Sequence, residues 1–429
     1  MTRRFKVLVV AVVLLLIAAG GAVVGWVQRD DTAPVTILGT WTGEQEKQFK
    51  ALLEGFGIPF RYQGTAAQRE VLLSKVQSGE PPDIVIMPGI GELAEYAGQN
   101  RLEPLDGLYD PRQYGAPWQS PAPSSEHVYW VPVKADLKSI VWYRRGHRPA
   151  NAPAPLDSWC IGMGDDGASG WPGTDWIEDL VLQRQGPGIY EQWALGTGPT
   201  QWWRSTAIRD AWQAWVRLLA QDKAAARHAL LTDHRGDPDG HGLLFEGWGG
   251  CDLEHQGSFA RSFYAGDAPH YAGDAPHAAL TDSAPLLPGG SDRVRGHEVT
   301  GDFAALFSNR PGARALIRRL ASLEGQQKWV GLAGVFSANQ QVRPQGGTVE
   351  QEIVRRLREG PRCLDASDVM APAVRDAFYE AVLLTLARVA GGQDPDVPAL
   401  LQDVQRVQNA QRAQGASSRA APRSVCSTR

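Results

Sequence analysis

Between Val35 and Ala97, apolar strands alternate with amphipathic helices, and this alternation constrains the fold more than any other feature of the chain. Val35-Thr36-Ile37-Leu38 reads as a strand, and a polar helix carrying Phe49, Leu52, Leu53 and Phe56 follows it. Ile58 to Tyr62 is a second strand and Ala66 to Val76 a second helix. Asp83 to Met87 is a third strand and Gly91 to Ala97 a third helix. Such a succession requires a parallel sheet with both faces covered by helices, so the expected class is α/β. Val128 to Val133 and Ser139 to Tyr143 add strands. Helices are expected at Trp176 to Gln185, Ala207 to Ala220, Gly312 to Leu323, Val374 to Val389 and Pro398 to Val407. From 408 to 429 the chain is rich in Gln, Ala, Ser and Arg without an apolar period, which predicts a disordered tail. A chain of 429 residues exceeds one compact core, so two or three domains are expected.

The N-terminus sets the compartment. Arg3, Arg4 and Lys6 precede an unbroken apolar run from Val7 to Val27, closed by Gln28, Arg29, Asp30 and Asp31. A positive start before an apolar run is an export signal, and roughly 20 residues suffice to span a bilayer as a helix. Residues 1–31 are therefore expected to be a signal-anchor helix, with a cleaved signal peptide as the alternative at the small residues Ala18 to Ala22. Either way the rest of the chain faces outside. Four cysteines, Cys160, Cys251, Cys363 and Cys426, then lie in an oxidising compartment. Their spacings are too long for zinc. Cys160–Cys251 is the preferred disulfide, with two free buried thiols as its alternative, and the partner of Cys426 stays open.

Composition narrows the functional classes. A net charge of -4 excludes a basic nucleic-acid binder, and 21% charged residues beside 43% hydrophobic ones exclude disorder. The 15 Trp outnumber both the 11 Phe and the 10 Tyr, and most fall between Trp118 and Trp248. Trp212 and Trp215 share one face of a helix with Ile208 and Leu219, the stripe of a core helix. Trp26 belongs to the end of the apolar run.

Motifs for chemistry are weak. Gly89-Ile90-Gly91-Glu92-Leu93-Ala94 resembles a dinucleotide fingerprint but follows the third strand, not the first, and reads better as a strand-to-helix turn. The histidines lack metal-ligand spacing. Asp237-Pro238-Asp239-Gly240 opens like a calcium loop that no Glu closes, so no metal and no cofactor are expected. Asp175, Glu178 and Asp179 would suit a glycosidase, yet they share one short stretch rather than opposite walls of a cleft. No catalytic residue is assigned, and the chain is not expected to be an enzyme. The sharpest local feature is Ser169-Gly170-Trp171-Pro172-Gly173-Thr174-Asp175-Trp176. Indole faces match the C–H faces of pyranose rings, and a carboxylate matches their hydroxyls. Simple packing of both indoles is the competing reading.

These stretches carry a resemblance. Val35 to Gly43, Gly79-Glu-Pro-Pro-Asp-Ile-Val-Ile-Met-Pro-Gly89, Leu102 to Leu105, Lys134 to Tyr143, Gly170 to Asp179, Leu253 to Phe259, Gly301-Asp302 and Asp365 to Met370 appear in one order. The chain resembles the extracellular solute-binding proteins of ABC importers, carbohydrate family 1, of alpha-glucoside type. The resemblance implies a two-lobed, periplasmic-binding-protein-like fold with hinge crossovers near Ser139, His297 and Val335. The first lobe would hold 34–140 and 298–334, the second 143–296 and 336–407. It implies ligand-binding roles for Thr40, Trp41, Glu44, Lys138, Trp171, Asp175, Trp176, Gln256 and Asp302, whereas Asp83 would fix a turn. A sugar or oligosaccharide ligand, ABC permease subunits and a monomeric chain on the outer face of the membrane follow from it. A membrane-anchored sensor and a secreted glycosidase are the alternatives. The chain departs from the family in the short, Pro-rich Arg144 to Leu156, in lacking a lipid-anchor Cys, and in a heptapeptide repeat, Tyr264 to His270 and Tyr271 to His277, that reads as a loop.

Overall fold

The computed structural model describes residues 33–118, 127–199, 201–236, 241–244, 251–264, 278–414 and 422–427. The expected N-terminal helix and the two heptapeptides beyond Tyr264 lie outside them. Among the described residues no helix is long and apolar enough to cross a membrane.

The opening alternation appears as β1 (Val35–Gly39), α1 (Gly43–Glu54), β2 (Phe60–Gly64), α2 (Gln68–Gln77), β3 (Ile84–Pro88) and α3 (Gly91–Gly98). β1 pairs in parallel with both β2 and β3. The apolar strands bury Val35, Ile37, Leu38 and Ile84 to Met87, and the helices close over them with Phe49, Leu52, Leu53, Leu72 and Leu93. Asp83 ties β1 and Arg310 to the start of β3 rather than fixing the turn after its strand. It accepts from the backbone N–H and hydroxyl of Thr36 at 2.8 and 2.9 Å and from Arg310 at 2.9 Å.

β4 (Trp130–Leu137) and β5 (Ile140–Arg144) are separated only by Lys138 and Ser139, yet they belong to different sheets. After them come α4 (Trp171–Gln185), α5 (Pro187–Ala194), α6 (Thr206–Leu219), α7 (Lys223–Leu231), β6 (Leu253–His255), β7 (Ala278–Asp282) and β8 (His297–Leu306). The chain continues through α8 (Pro311–Ala321), α9 (Leu323–Ala333), α10 (Thr348–Arg358), β9 (Arg362–Leu364), α11 (Ala366–Val369), α12 (Pro372–Ala390), α13 (Val397–Gln414) and β10 (Cys426–Ser427). The large sheet runs β10-β9-β8-β3-β1-β2, with β4 also on β8, and the small sheet runs β6-β5-β7.

The chain passes from one sheet to the other at Lys138–Ser139 and again between β7 and β8. The two passages are bonded side by side: the N–H of Lys138 donates to the carbonyl of Glu298 at 2.7 Å, and the N–H of Glu298 to Ser139 Oγ at 3.0 Å. Ser139 adopts a left-handed φ of 59°, unusual for a residue with a side chain.

Two local readings change. α4 begins at Trp171, five residues before the expected start, because Gly170 takes φ 105° and Pro172 fits the first turn, where its missing N–H costs nothing. The chain beyond 407 is not structureless where described. α13 runs on to Gln414, and 422–427 returns to pair β10 antiparallel with β9. No apolar period marks this extension because amides hold it: Gln405 Oε1 accepts from the N–H of Trp203 at 3.1 Å, and its Nε2 donates to Asn409 at 2.9 Å.

Candidate functional site

β4 and β8 are antiparallel neighbours, with Lys134 opposite Asp302 and Asp136 opposite Thr300; their ladder ends where Lys138 bonds Glu298. Side chains alternate along a strand. One face of the pair therefore carries Lys134, Asp136, Lys138, Glu298, Thr300 and Asp302, while Val133, Ala135, Leu137, Val299, Gly301 and Phe303 take the other. The result is a polar stripe through an otherwise apolar sheet.

At one end of the stripe Asp302 accepts from the indole N–H of Trp41 at 3.1 Å. Lys134 lies 3.0 Å from Asp136 and 3.7 Å from Asp302. Burial raises the Asp302 carboxyl above its ordinary range, against the pull of Lys134. Trp41 is buried against Phe49 at 4.7 Å and Trp329 at 5.1 Å. In the middle of the stripe Asp136 accepts from Ser258 Oγ at 2.9 Å, and Thr300 donates to Asp368.

At the other end the Lys138 ammonium lies 2.9 Å from Asp175 and 2.5 Å from Asp365, and 5.2 Å from the centre of the Trp171 ring. Glu178 accepts from the N–H groups of Ala366 and Ser367 at 2.5 and 3.2 Å and from the Tyr190 hydroxyl at 3.2 Å. Burial opposes every one of these charges. It pushes Asp175 and Glu178 well up, reinforced by Asp365. Asp365 goes the other way: burial is outweighed by the adjacent ammonium, which holds it below the usual carboxylate range. Asp365 is therefore the ionised partner of Lys138, itself held protonated despite burial by Asp175 and Asp365. Asp368 is pushed up to about 6 by burial and by Asp365. Oxygens of Asp175, Glu178 and Asp365 lie within 4.8 Å of one another, a spacing that could hold a cation. The Lys138 ammonium already occupies that role and would repel a divalent ion.

Glu298 stands out. It is fully buried, neither carboxylate oxygen has a hydrogen-bond partner among the described residues, and Asp179, Glu178, Asp365 and Asp175 all act on it. Burial first, then the carboxyl groups around it, drives its carboxyl well above the ordinary range, so it is held neutral.

The structure thus brings Trp41 and Asp302 together, and Lys138, Trp171 and Asp175 together, joined by the β4–β8 stripe. Trp171 is half-buried. Its N–H donates to Asp165 at 2.8 Å, and its ring meets His234 at 4.9 Å and Phe259 at 5.8 Å. Trp176 does not join them. It is 2% exposed and packed against Trp159 at 4.7 Å and His255 at 4.8 Å. Gln256 is buried behind β5, its carbonyl accepting from Trp142 at 3.1 Å. Thr40 is half-buried, and Glu44 is exposed and paired with Lys47 at 3.0 Å. Sequence reasoning passed over Lys134, Asp136, Glu298 and Asp365 as site residues. The available signal was polar residues at every second position in two apolar strands.

No profile of a known protein family matches the chain. It is 29% identical over 330 residues to the alpha-glucosides-binding periplasmic protein AglE of Rhizobium meliloti, covering 69% of this chain and 70% of that one. It is 28% identical over 380 residues to the osmoprotective compounds-binding protein GgtB of Synechocystis, covering 80% and 86%. Among solved structures, a chitin oligosaccharide binding protein superposes with a TM-score of 0.67 at 17% identity, over 90% of this chain and all of that one. The maltose-maltodextrin binding protein of Alicyclobacillus acidocaldarius gives 0.60 at 14% identity, over 87% of this chain. The structural likenesses establish a fold shared with two-lobed binding proteins. The sequence relatives are periplasmic or solute-binding proteins, and this chain is similar to them over most of its length. These relatives are named as binding proteins rather than enzymes.

Proposed function

We propose that the protein captures a sugar or short oligosaccharide outside the membrane, closes two lobes over it and presents it to an ABC permease. The observation that carries this reading is the similarity to AglE, an alpha-glucosides-binding protein, over more than two thirds of both chains. In this reading the lobes are 34–140 with 298–334 and 143–296 with 336–407, hinged at the bonded passages beside Ser139 and Glu298. Trp171, partly open at the start of α4, is the stacking platform. Lys138, Asp175 and the Trp41–Asp302 pair hold the polar floor, with Thr40 and Glu44 on the opposite rim. Trp176 and Gln256 support the site from behind. The chain acts as a monomer, and residues 1–31 direct it outside as a signal or an anchor.

The test is a titration of intrinsic Trp fluorescence with maltose, trehalose and maltodextrins, followed by analysis of the sugar. A saturable change with the sugar recovered intact is expected. Silence across the panel would overturn capture of this class, and a shortened product would point to a glycosidase.

A further inference from the structure

α2 packs on β1 of the large sheet and α3 follows β3 of that sheet, whereas α12 packs with α4, α6, α7 and α13; the short α11 touches both α3 and α12. Between these two groups lies a groove of about 800 Å³, lined by Leu73, Val76, Tyr96, Gln99, Tyr379 and Leu383 among others. Core helices interlock without such space. These faces do not interlock, yet charge spans them. Arg69 of α2 donates from both terminal nitrogens to the Asp376 carboxylate of α12, at 3.1 and 3.2 Å, and from Nε to Glu92 of α3 at 2.9 Å. From the α12 side Arg375 reaches the same Glu92 oxygen at 3.4 Å.

We propose that Arg69 and Asp376, with Glu92 and Arg375 behind them, form a latch that biases the two lobes toward closure and thereby tunes ligand affinity. The proposal rests on the two-lobe capture reading. Three properties of the cluster suit this role. A bidentate guanidinium–carboxylate pair is specific in geometry, so it forms only at one separation of the helices. The Arg69 and Asp376 side chains are 32% and 52% exposed, so the pair is weak enough to open and is screened by salt. Without Arg69, Glu92 and Asp376 would face Glu70, Glu95 and Glu380 along the same groove with only Arg375 and Arg101 to offset them, so the hold between the faces would weaken.

The latch is tested by small-angle X-ray scattering on the ligand-free full chain in about 50 mM and about 500 mM NaCl. At low salt Arg69→Asp and Asp376→Arg should each raise the radius of gyration, on the order of 1 Å for lobes of this size. The wild type should expand toward the same value at high salt. The charge-swapped double variant should return to the wild-type radius, and maltose affinity should fall about three- to fivefold in each single variant and recover in the swap. Single variants with the wild-type radius at low salt, or a swap that stays expanded, would overturn the latch. Should either reversal fail to fold, Arg69→Gln and Asp376→Asn take its place under the same criteria. The scattering uses no sugar. Expansion without sugar binding would therefore sink only the capture reading, and sugar binding without expansion only the latch.

Discussion

The Glu298 carboxyl is enclosed without a hydrogen-bond partner among the described residues, and its neutrality carries a pH signature. Its folded pKa lies above its unfolded value, so the native state holds a proton that the unfolded chain releases first. Stability from this group is fully present below the unfolded carboxyl range, about pH 4, and is lost as pH rises, by at most about 1.4 kcal/mol per unit. Glu298→Gln keeps the shape and removes the titration. Thermal melts of variant and wild type should therefore separate as pH rises from 5 to 8 (both ~), with the variant increasingly the more stable; a constant difference would mean Glu298 is not held protonated. The two indoles of the Trp171 stretch should also behave differently. Trp171→Ala should weaken sugar binding at least about tenfold with little change in melting, since its ring is only half-buried. Trp176→Ala should cost about 3–5 kcal/mol of stability in denaturant titrations, because it empties a packed core position. The sequence pattern placed both Trp in one short stretch but could not say which faced inward; only the start of α4 at Trp171 decides that.

At the scale of elements, the C-terminal return shows how a polar segment can be held in place. Cys426 is bonded to Cys363, and Cys160 to Cys251. β10 lies beside β9, and Glu191 accepts from the N–H groups of Val425 and Cys426, both at 2.8 Å. The Cys363–Cys426 link closes a sequence separation of 63 residues. Cys426→Ser should therefore lower stability by about 2–4 kcal/mol, measured by denaturant unfolding, and reductant should bring the wild type toward the variant. An unchanged midpoint would show that the strand pairing alone holds the segment. Strands and helices between Val35 and Gly98 were legible because short, largely apolar strand runs such as β1 and β3 alternate with helices that bury an apolar stripe. The far end of α13 and the return to β10 were not, because side-chain amides, one disulfide and a single glutamate hold them, and none of these has a period to read.

At the scale of the whole molecule, a binding protein must be stabilised by what it binds. A sugar from the responding panel, present at about 100 times its Kd, should add about 2.7 kcal/mol to the folded state and raise the melting temperature in a concentration-dependent way. A sugar that changes fluorescence without moving the melt would not be binding the native site. The resemblance to solute-binding proteins was legible in sequence, because the Trp-Pro-Gly-Thr-Asp-Trp stretch and the strand motifs around it occur in a fixed order. The amino-acid sequence alone determined the α/β class, the extracellular reading and the cluster of residues around Trp171, since periodicity and local composition depend only on neighbours along the chain. Tertiary structure decided what those residues do. It joined Lys138 to Asp365 across 227 positions and Trp41 to Asp302 across 261, enclosed Trp176, and left Glu298 among four carboxylates. Charge, burial and partner are properties of three-dimensional neighbours, and no spacing along the chain encodes them.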